Sequence, residues 1–336
     1  MKGVEVTSLA DTDAERLKEV AETFNVKKVF RDYRHLLEDP SLDIAAICTP
    51  PLTHADIASA AVRAGKHVFI EKPVALCLED CDRLLDQAAG TPVKITVGFK
   101  LRYHRLVRDA ARLIDQGVLG PTVSIRYVAT GGHGASEPEW LRNRASGGGV
   151  LVEYGVHAFD LWRHLLRCEV EEVFAFGEKG VWEDERASIS ARMTNGAVAT
   201  AVLARGTAEN HEFELYGQGG RLVVSRFLAD GLAYQPLGSY PGSLGVRMRN
   251  VFRTACSLPG ILSSYARGGE HMECYREQWR YFLDAVRNDT PVHATLEDGR
   301  QALQATLAAL QAATSGSSVL LEHGITAQGL APRLGP

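Results

Sequence analysis

The chain has 336 residues, of which 45% are hydrophobic and 23% charged, with a formal net charge of -4. That length suits about two domains of the usual ~150 residues each, and the composition is that of an ordinary globular protein. The slightly negative balance argues against nucleic acid or an anionic membrane as partner, and no apolar run reaches the roughly 18 residues a spanning helix needs.

Val4 to Ala10 has strand character and ends at Asp11. Ala14, Leu17, Val20, Ala21 and Phe24 recur at helical spacing, which predicts a helix over Asp13 to Phe24. Val29-Phe30 reads as a short strand and Tyr33 to Leu37 as a small helix. Ala45 to Cys48 is a short apolar run that stops at Thr49-Pro50-Pro51-Leu52-Thr53-His54. An Ala-rich helical stretch to Gly65 follows, then the apolar run His67 to Ile70 stops at Glu71-Lys72-Pro73. This is the pattern of a parallel βαβ unit, whose ligands sit outside the carboxyl ends of the strands. Leu78 to Ala89 continues as helix and Lys94 to Phe99 as strand. Residues 1–99 therefore read as a doubly wound α/β layer.

Beyond Phe99 the pattern changes. A helix is expected over Arg105 to Gln116, a half-exposed strand over Val123 to Val128, and an amphipathic helix over Glu153 to Leu166. The runs Val170–Gly177, Ala187–Met193, Ala197–Leu203, Glu212–Gly217 and Arg221–Val224 predict an antiparallel sheet open on one face. Leu228 to Gly269 reads as irregular, with a basic solvated face at Arg247–Arg253, and two late helices span Glu270 to Arg287 and Glu297 to Thr314. The six cysteines show no pairing rhythm. Cys77 and Cys81 lack the second pair a zinc site needs, so no metal is expected. With no apolar leader after Met1, reduced thiols and a cytoplasmic location are expected.

Several residues could carry chemistry. Lys72 follows a buried strand and is aimed by Pro73, with Glu71 beside it, although a loop lysine can equally be a solvated charge. On a regular helix Glu153 and His157 would stack four apart, with Asp160 and His164 near that face. A carboxylate that orients an imidazole is an acid/base arrangement, and the preceding Gly147-Gly148-Gly149 would let a ligand approach closely. Lys100 and Arg102 lie just past the last strand of the first layer, where a crevice between domains is expected. Trp140 and Arg142 precede the glycines and could bind a polyol or anchor a loop. Asp11 ends a strand, where dinucleotide folds hold a ribose hydroxyl, but it could simply begin the next helix.

One part is missing from this pattern. No strand, Gly-x-Gly-x-x-Gly and helix precede Asp11, and no such turn occurs later. In the usual order 3-2-1-4-5-6 that first strand is central, so the strands ending at Ala10 and Cys48 are expected to lack a shared neighbour. The natural start is expected upstream by roughly the 25–30 residues of such a unit.

Thr49-Pro50-Pro51-x-x-His54, Ala64-Gly65-Lys66-His67-Val68 with Glu71-Lys72-Pro73, and Gly147-Gly148-Gly149 with Glu153, Gly155, His157 and Asp160 in register resemble the Gfo/Idh/MocA oxidoreductases. The resemblance implies a truncated Rossmann-type domain over 1–99 and a C-terminal substrate and oligomerisation domain over 100–336, with a mostly antiparallel open sheet. It implies hydride transfer between NAD(P) and a hydroxyl carbon of a sugar, cyclitol or related polyol, in a homodimer or homotetramer. Lys72 and His157, with Glu153, would be catalytic. Asp11, Thr49, Pro50, His54, Glu71 and Lys72 would line the cofactor, and Asp11 favours NAD over NADP. Lys100, Arg102, Trp140, Arg142 and Asp160 would face substrate. Glu153 stands where the family commonly has Asp, and Gly98-Phe99-Lys100-Leu101-Arg102 departs from its Gly-Phe-Asn-Arg-Arg. Two alternatives follow: an NAD-dependent glycoside-cleaving enzyme, or a non-catalytic sugar- or dinucleotide-sensing protein.

Overall fold

A computed structural model describes residues 3–134, 137–226, 231–240, 242–266 and 268–322. The first layer alternates β1 (Ser8–Ala10), α1 (Ala14–Phe24), β2 (Lys28–Phe30), α2 (Tyr33–Leu37), β3 (Ile44–Ile47), α3 (His54–Arg63), β4 (His67–Ile70), α4 (Leu78–Ala88) and β5 (Ile95–Val97). Local chemistry sets several boundaries. The Asp13 carboxylate accepts the backbone N–H groups of Glu15 and Arg16 to start α1, and Asn25, in the left-handed region, ends it.

The parallel strands fall into two sheets, β1-β2 and β3-β4-β5. Among the described residues no strand joins β1 to β3. The first strand is accordingly shorter than its apolar run, covering Ser8–Ala10 only, and Val4 and Val6 are exposed. In the β3-β4-β5 sheet all strands run the same way, so Thr49, Glu71 and Phe99 follow their carboxyl ends on one edge.

The second layer comprises α5 (Arg105–Asp115), β6 (Thr122–Gly131), α6 (Val156–Leu166), β7 (Val170–Glu178), β8 (Arg186–Met193), β9 (Val198–Arg205), β10 (Asn210–Gly217), β11 (Gly220–Ser225), β12 (Leu232–Pro236), α7 (Leu244–Ala266), α8 (Gly269–Asn288), α9 (Leu296–Ser315) and β13 (Val319–Leu320). Its eight strands are ordered β12-β11-β10-β6-β9-β8-β7-β13. Every pairing is antiparallel except β6 with β9. Strand β8 alternates exposed and buried residues along its length, as a sheet with one covered face requires. The buried face packs on Phe159, Trp162 and Leu165 of α6 and Ala305, Ala308 and Ala309 of α9, while Phe176, Val198 and Val202 stand exposed on the other.

The first layer does not close its own core. Leu296, Ala302 and Leu303 of α9 and Val156 of α6 complete the cluster around Ile47, Val68, Ile70 and Val97. Thus α9 packs on β5 and α4 on one side and on α6 and β7 on the other.

The stretch expected to be irregular holds β12 and the long helix α7. Pro259 inside α7, Gly245 and the interspersed arginines hide its period, and Leu244, Met248, Val251 and Phe252 are exposed rather than packed. Arg247 is exposed, as a solvated basic face requires, whereas the side chain of Arg253 lies outside the described residues.

Candidate active site

The two loops of the βαβ unit are tied together by His54, the first residue of α3, which is 1% exposed. Its Nδ1 lies 2.7 Å from the Pro73 carbonyl oxygen and its Nε2 2.7 Å from that of Thr49. A neutral imidazole donates one of these bonds and an imidazolium both, and burial, with Lys72 nearby, disfavours the second proton. Both ring nitrogens therefore face backbone. This corrects the expectation that His54 touches cofactor: it sets the separation of the two loops. Thr49 and Pro50 remain exposed, with the Thr49 hydroxyl accepting from that of Thr53 at 2.8 Å.

Glu71 is half-buried after β4, backed by Gly98, where a Cβ would stand 2.6 Å from Glu71 Oε2 and 3.1 Å from its Cα. Only glycine lets the neighbouring strand end come this close. Burial pushes the Glu71 carboxyl up, against the pull of Lys72 and Lys100. Lys72 Nζ donates to Glu153 Oε2 at 2.5 Å and to the Glu153 carbonyl at 3.0 Å, across 81 residues of sequence. The Lys72 side chain is 10% exposed and that of Glu153 29%, so a largely buried ion pair joins the two layers.

The segment carrying Glu153 is not the regular helix expected. Leu151–Gly155 forms a π turn before α6, and π turns stack residues five apart rather than four. Glu153 is drawn to Lys72 and does not hydrogen-bond to His157. His157 is 7% exposed, and its Nδ1 is buried without a partner. Burial, followed by the charges of Lys72, Lys100 and Arg226, holds its imidazole well below the usual histidine range. Its imidazole is neutral at pH 7.

The glycine run serves packing. A Cβ on Gly147 would stand 2.8 Å from Cβ of Pro51, on Gly148 2.2 Å from the Leu141 carbonyl oxygen, and on Gly149 2.9 Å from Asp184. Gly147 thus seats the loop before α6 against the first layer, and Gly148 and Gly149 seat it against Leu141 and Asp184 of the second. Lys100 Nζ donates to Tyr275 Oη at 3.0 Å, and burial lowers its pKa against Glu71 and Glu153.

Arg102 and Asp160 sit elsewhere than on the substrate side. Asp160 is 1% exposed and Arg102 4%. Arg102 reaches Asp160 through Nε at 3.0 Å and Nη2 at 2.5 Å, and Asp298 and the His293 carbonyl through Nη1. Asp298 also meets Arg163, which pairs with Glu169. Burial opposes these charges, but Asp160 and Asp298 outweigh it and keep Arg102 protonated. Both residues thus pin α6 and α9 to the end of β5, which corrects their expected contact with substrate. Trp140 and Arg142 lie on the turn Glu139–Arg142, with Arg142 exposed. Among the described residues no hydrogen bond joins either side chain to Lys72, Glu153 or His157. Asp11 Oδ1 accepts from Asp13 N at 2.8 Å, a local turn contact, while its Oδ2 lies 3.9 Å from Arg16.

Sequence reasoning passes over three residues: His211 on β10 and Arg226 after β11, both acting on His157, and Tyr275 on α8, which meets Lys100. The β10–β11 register, with Glu212 opposite Ser225, sets His211 beside Arg226, whose N–H donates to the His211 carbonyl at 3.0 Å. No local motif signals such a pairing. Among the described residues there is no group of three or more acidic, histidine or cysteine ligands fit for a metal, and no helix long and apolar enough to cross a membrane.

Several buried histidines make stability pH-dependent. Burial pushes His164 down to about 3 and His211 down to about 4, from an ordinary 6.5. Below that ordinary value the unfolded chain binds more protons than the folded one. Stability present above pH ~6.5 is therefore lost as pH falls toward the folded values, by about 1.4 kcal/mol per pH unit for each histidine. Melts followed by circular dichroism should show the midpoint falling steadily from pH 7 to 4.5. A flat midpoint across that range contradicts these burial effects.

Residues 1–99 match the family model described as the oxidoreductase family with an NAD-binding Rossmann fold, and residues 107–223 match the GFO/IDH/MocA C-terminal domain. The chain belongs to the Gfo/Idh/MocA family of oxidoreductases. It is 29% identical to the myo-inositol 2-dehydrogenase of Thermotoga maritima, over 95% of this chain and 91% of that protein. It is 30% identical to an uncharacterized oxidoreductase of Rhizobium meliloti, over 88% and 85%. A crystal structure of a probable dehydrogenase from Thermotoga maritima superposes with a TM-score of 0.75 at 25% identity, covering 94% of this chain and 90% of that one.

The residues present fit part of a dinucleotide. Exposed Thr49 and Pro50, with Glu71 and Lys72 on the same strand edge, suit the nicotinamide and its ribose, and the partly open Asp11 carboxylate suits the other ribose. No glycine-rich strand-to-helix turn for the pyrophosphate lies among the described residues.

Proposed function

We propose that this oxidoreductase transfers hydride between NAD and a hydroxyl-bearing carbon of a sugar, cyclitol or related polyol. The observation that carries this reading is Lys72, fixed by Glu153 at the carboxyl end of the parallel sheet, acting electrostatically on the buried neutral His157. Bound NAD would accept the hydride. The chain's own residues handle the proton and the oxygen. Lys72 has one N–H beyond the two given to Glu153, and it donates that to the reacting oxygen. His157 takes the hydroxyl proton, which its depressed basicity releases readily to solvent. Glu153 orients the ammonium, so it acts as a positioning residue. Asp11 favours NAD because its charge repels a 2′-phosphate. The exposed apolar face carrying Phe176, Val198 and Val202 supports assembly into a homodimer or homotetramer, and a cytoplasmic location goes with this reading.

The test is reduction of NAD by a panel of inositols and aldoses, followed at the absorbance of the reduced nicotinamide. His157→Asn should lower kcat by about 10²–10⁴, the usual contribution of a positioned base, without changing NAD affinity in calorimetry. Full turnover by His157→Asn rules out this proton path.

A further inference from the structure

Beyond the polyol reading, and resting on it, the charges around His157 define the kind of polyol. Lys72 and Lys100 are matched by Glu153 and Glu71, directly in one case and at longer range in the other. Arg226 is different. Its Nη2 lies 3.4 Å from Nδ1 of His271, and its Nε is buried without a partner. Among the described residues no carboxylate stands within ion-pair distance of it. On the His271 helix, Glu270 is held by Arg105 at 2.7 Å and lies 3.3 Å from His104, and Glu273 lies 3.5 Å from Arg276. Arg226 and His211 also border one small, mostly apolar cavity, whose other walls include Tyr127, Phe213 and Glu212, and Glu212 is paired with Arg126 at 2.8 Å. Tyr275 links the group to Lys100, with its ring against that of His271 and its hydroxyl on the Lys100 ammonium.

An arginine is the side chain best matched to carboxylate and phosphate oxygens. A half-buried guanidinium 3.4 Å from the His271 imidazole, with no protein anion paired to it among the described residues, is an incomplete charge arrangement. We propose that the substrate is a polyol bearing an anionic group, a carboxylate or a phosphate monoester, anchored by Arg226 with His211 and His271. The excess positive field in the pocket supports this, since Arg226 and Lys100 both weigh against protonation of His157, His211 and His271. A bound anion would complete the arrangement and hold the hydroxyl-bearing carbons at a fixed distance from His157.

Calorimetry on the full chain with D-glucuronate, D-glucose 6-phosphate and D-glucose tests this. At least one anionic sugar should bind on the order of 10- to 100-fold more tightly than glucose, the range of a charge-assisted hydrogen bond. The acid and phosphate arms identify which anion is used. Arg226→Gln should bring the anion-to-neutral ratio near one, and Arg226→Lys should keep most of it, which separates charge loss from misfolding. Glucose binding as tightly as both anions, failure of both anions to bind at millimolar concentration, or an unchanged ratio in Arg226→Gln overturns the proposal. Reduction of NAD by a neutral polyol alone would overturn it and leave the dehydrogenase reading standing. Tight anion binding with no NAD reduction by any polyol would do the reverse.

Discussion

Lys72→Met should reduce kcat by about 10²–10³, the usual loss when one donor to a developing oxyanion is removed. The effect should fall on kcat more than on KM, because the ammonium is needed most where charge builds on the reacting oxygen. The geometry makes the lysine hard to replace. Its Nζ is held at 2.5 Å by a carboxylate from the other layer, while the His54 bridge fixes the loop behind it. Glu153→Gln retains an acceptor but removes the charge, so a loss nearer tenfold is expected from a residue that only positions another. Equal losses in the two variants would mean that Glu153 itself handles the substrate proton. Steady-state kinetics on both, at saturating NAD, separates these outcomes.

Arg102→Met should destabilise the protein by about 3–5 kcal/mol, the usual result of removing one partner from a buried ion pair. Asp160 and Asp298 would be left at 1% and 6% exposure, and Asp298 alone retains a second arginine, Arg163. Adding Asp160→Leu should recover much of the loss, since an apolar pair of similar volume is often no less stable than the ions it replaces. Urea unfolding of the single and double variants measures both numbers. A single variant as stable as the parent would mean that the three elements joined here, α6, α9 and the end of β5, are held by apolar packing alone.

The parallel unit from Ile44 to Ile70 is legible in the sequence because each strand is a short apolar run bounded by proline, glycine or charge, with a small-residue helix between. The antiparallel strands are legible for the same reason, since alternation survives wherever one face meets water. What stays hidden depends on contacts between distant segments. His54 reads as a loop residue near cofactor, and only the folded chain shows both its nitrogens on backbone carbonyls. Glu153 and His157 look like an acid/base pair under helical periodicity, but the π turn separates them and gives Glu153 to Lys72. Arg102 and Asp160 carry the charges of binding residues, yet their partners lie up to 196 residues away. Helix α7 escapes notice because its apolar side chains face outward and a proline interrupts it. For His54, Arg102 and Asp160 local pattern sets the element, and long-range pairing sets what the side chain touches.

The division of labour proposed for Lys72, Glu153 and His157 has one direct consequence for the reaction. The bond broken is a carbon–hydrogen bond, and its electron pair must arrive on the nicotinamide. Incubation of the protein with NAD and a polyol deuterated at every carbon-bound position, followed by mass spectrometry of the nucleotide, measures this. One deuterium per turnover on the reduced nicotinamide is the predicted result. Product formation with no label on the nucleotide would contradict hydride transfer as the function of this site.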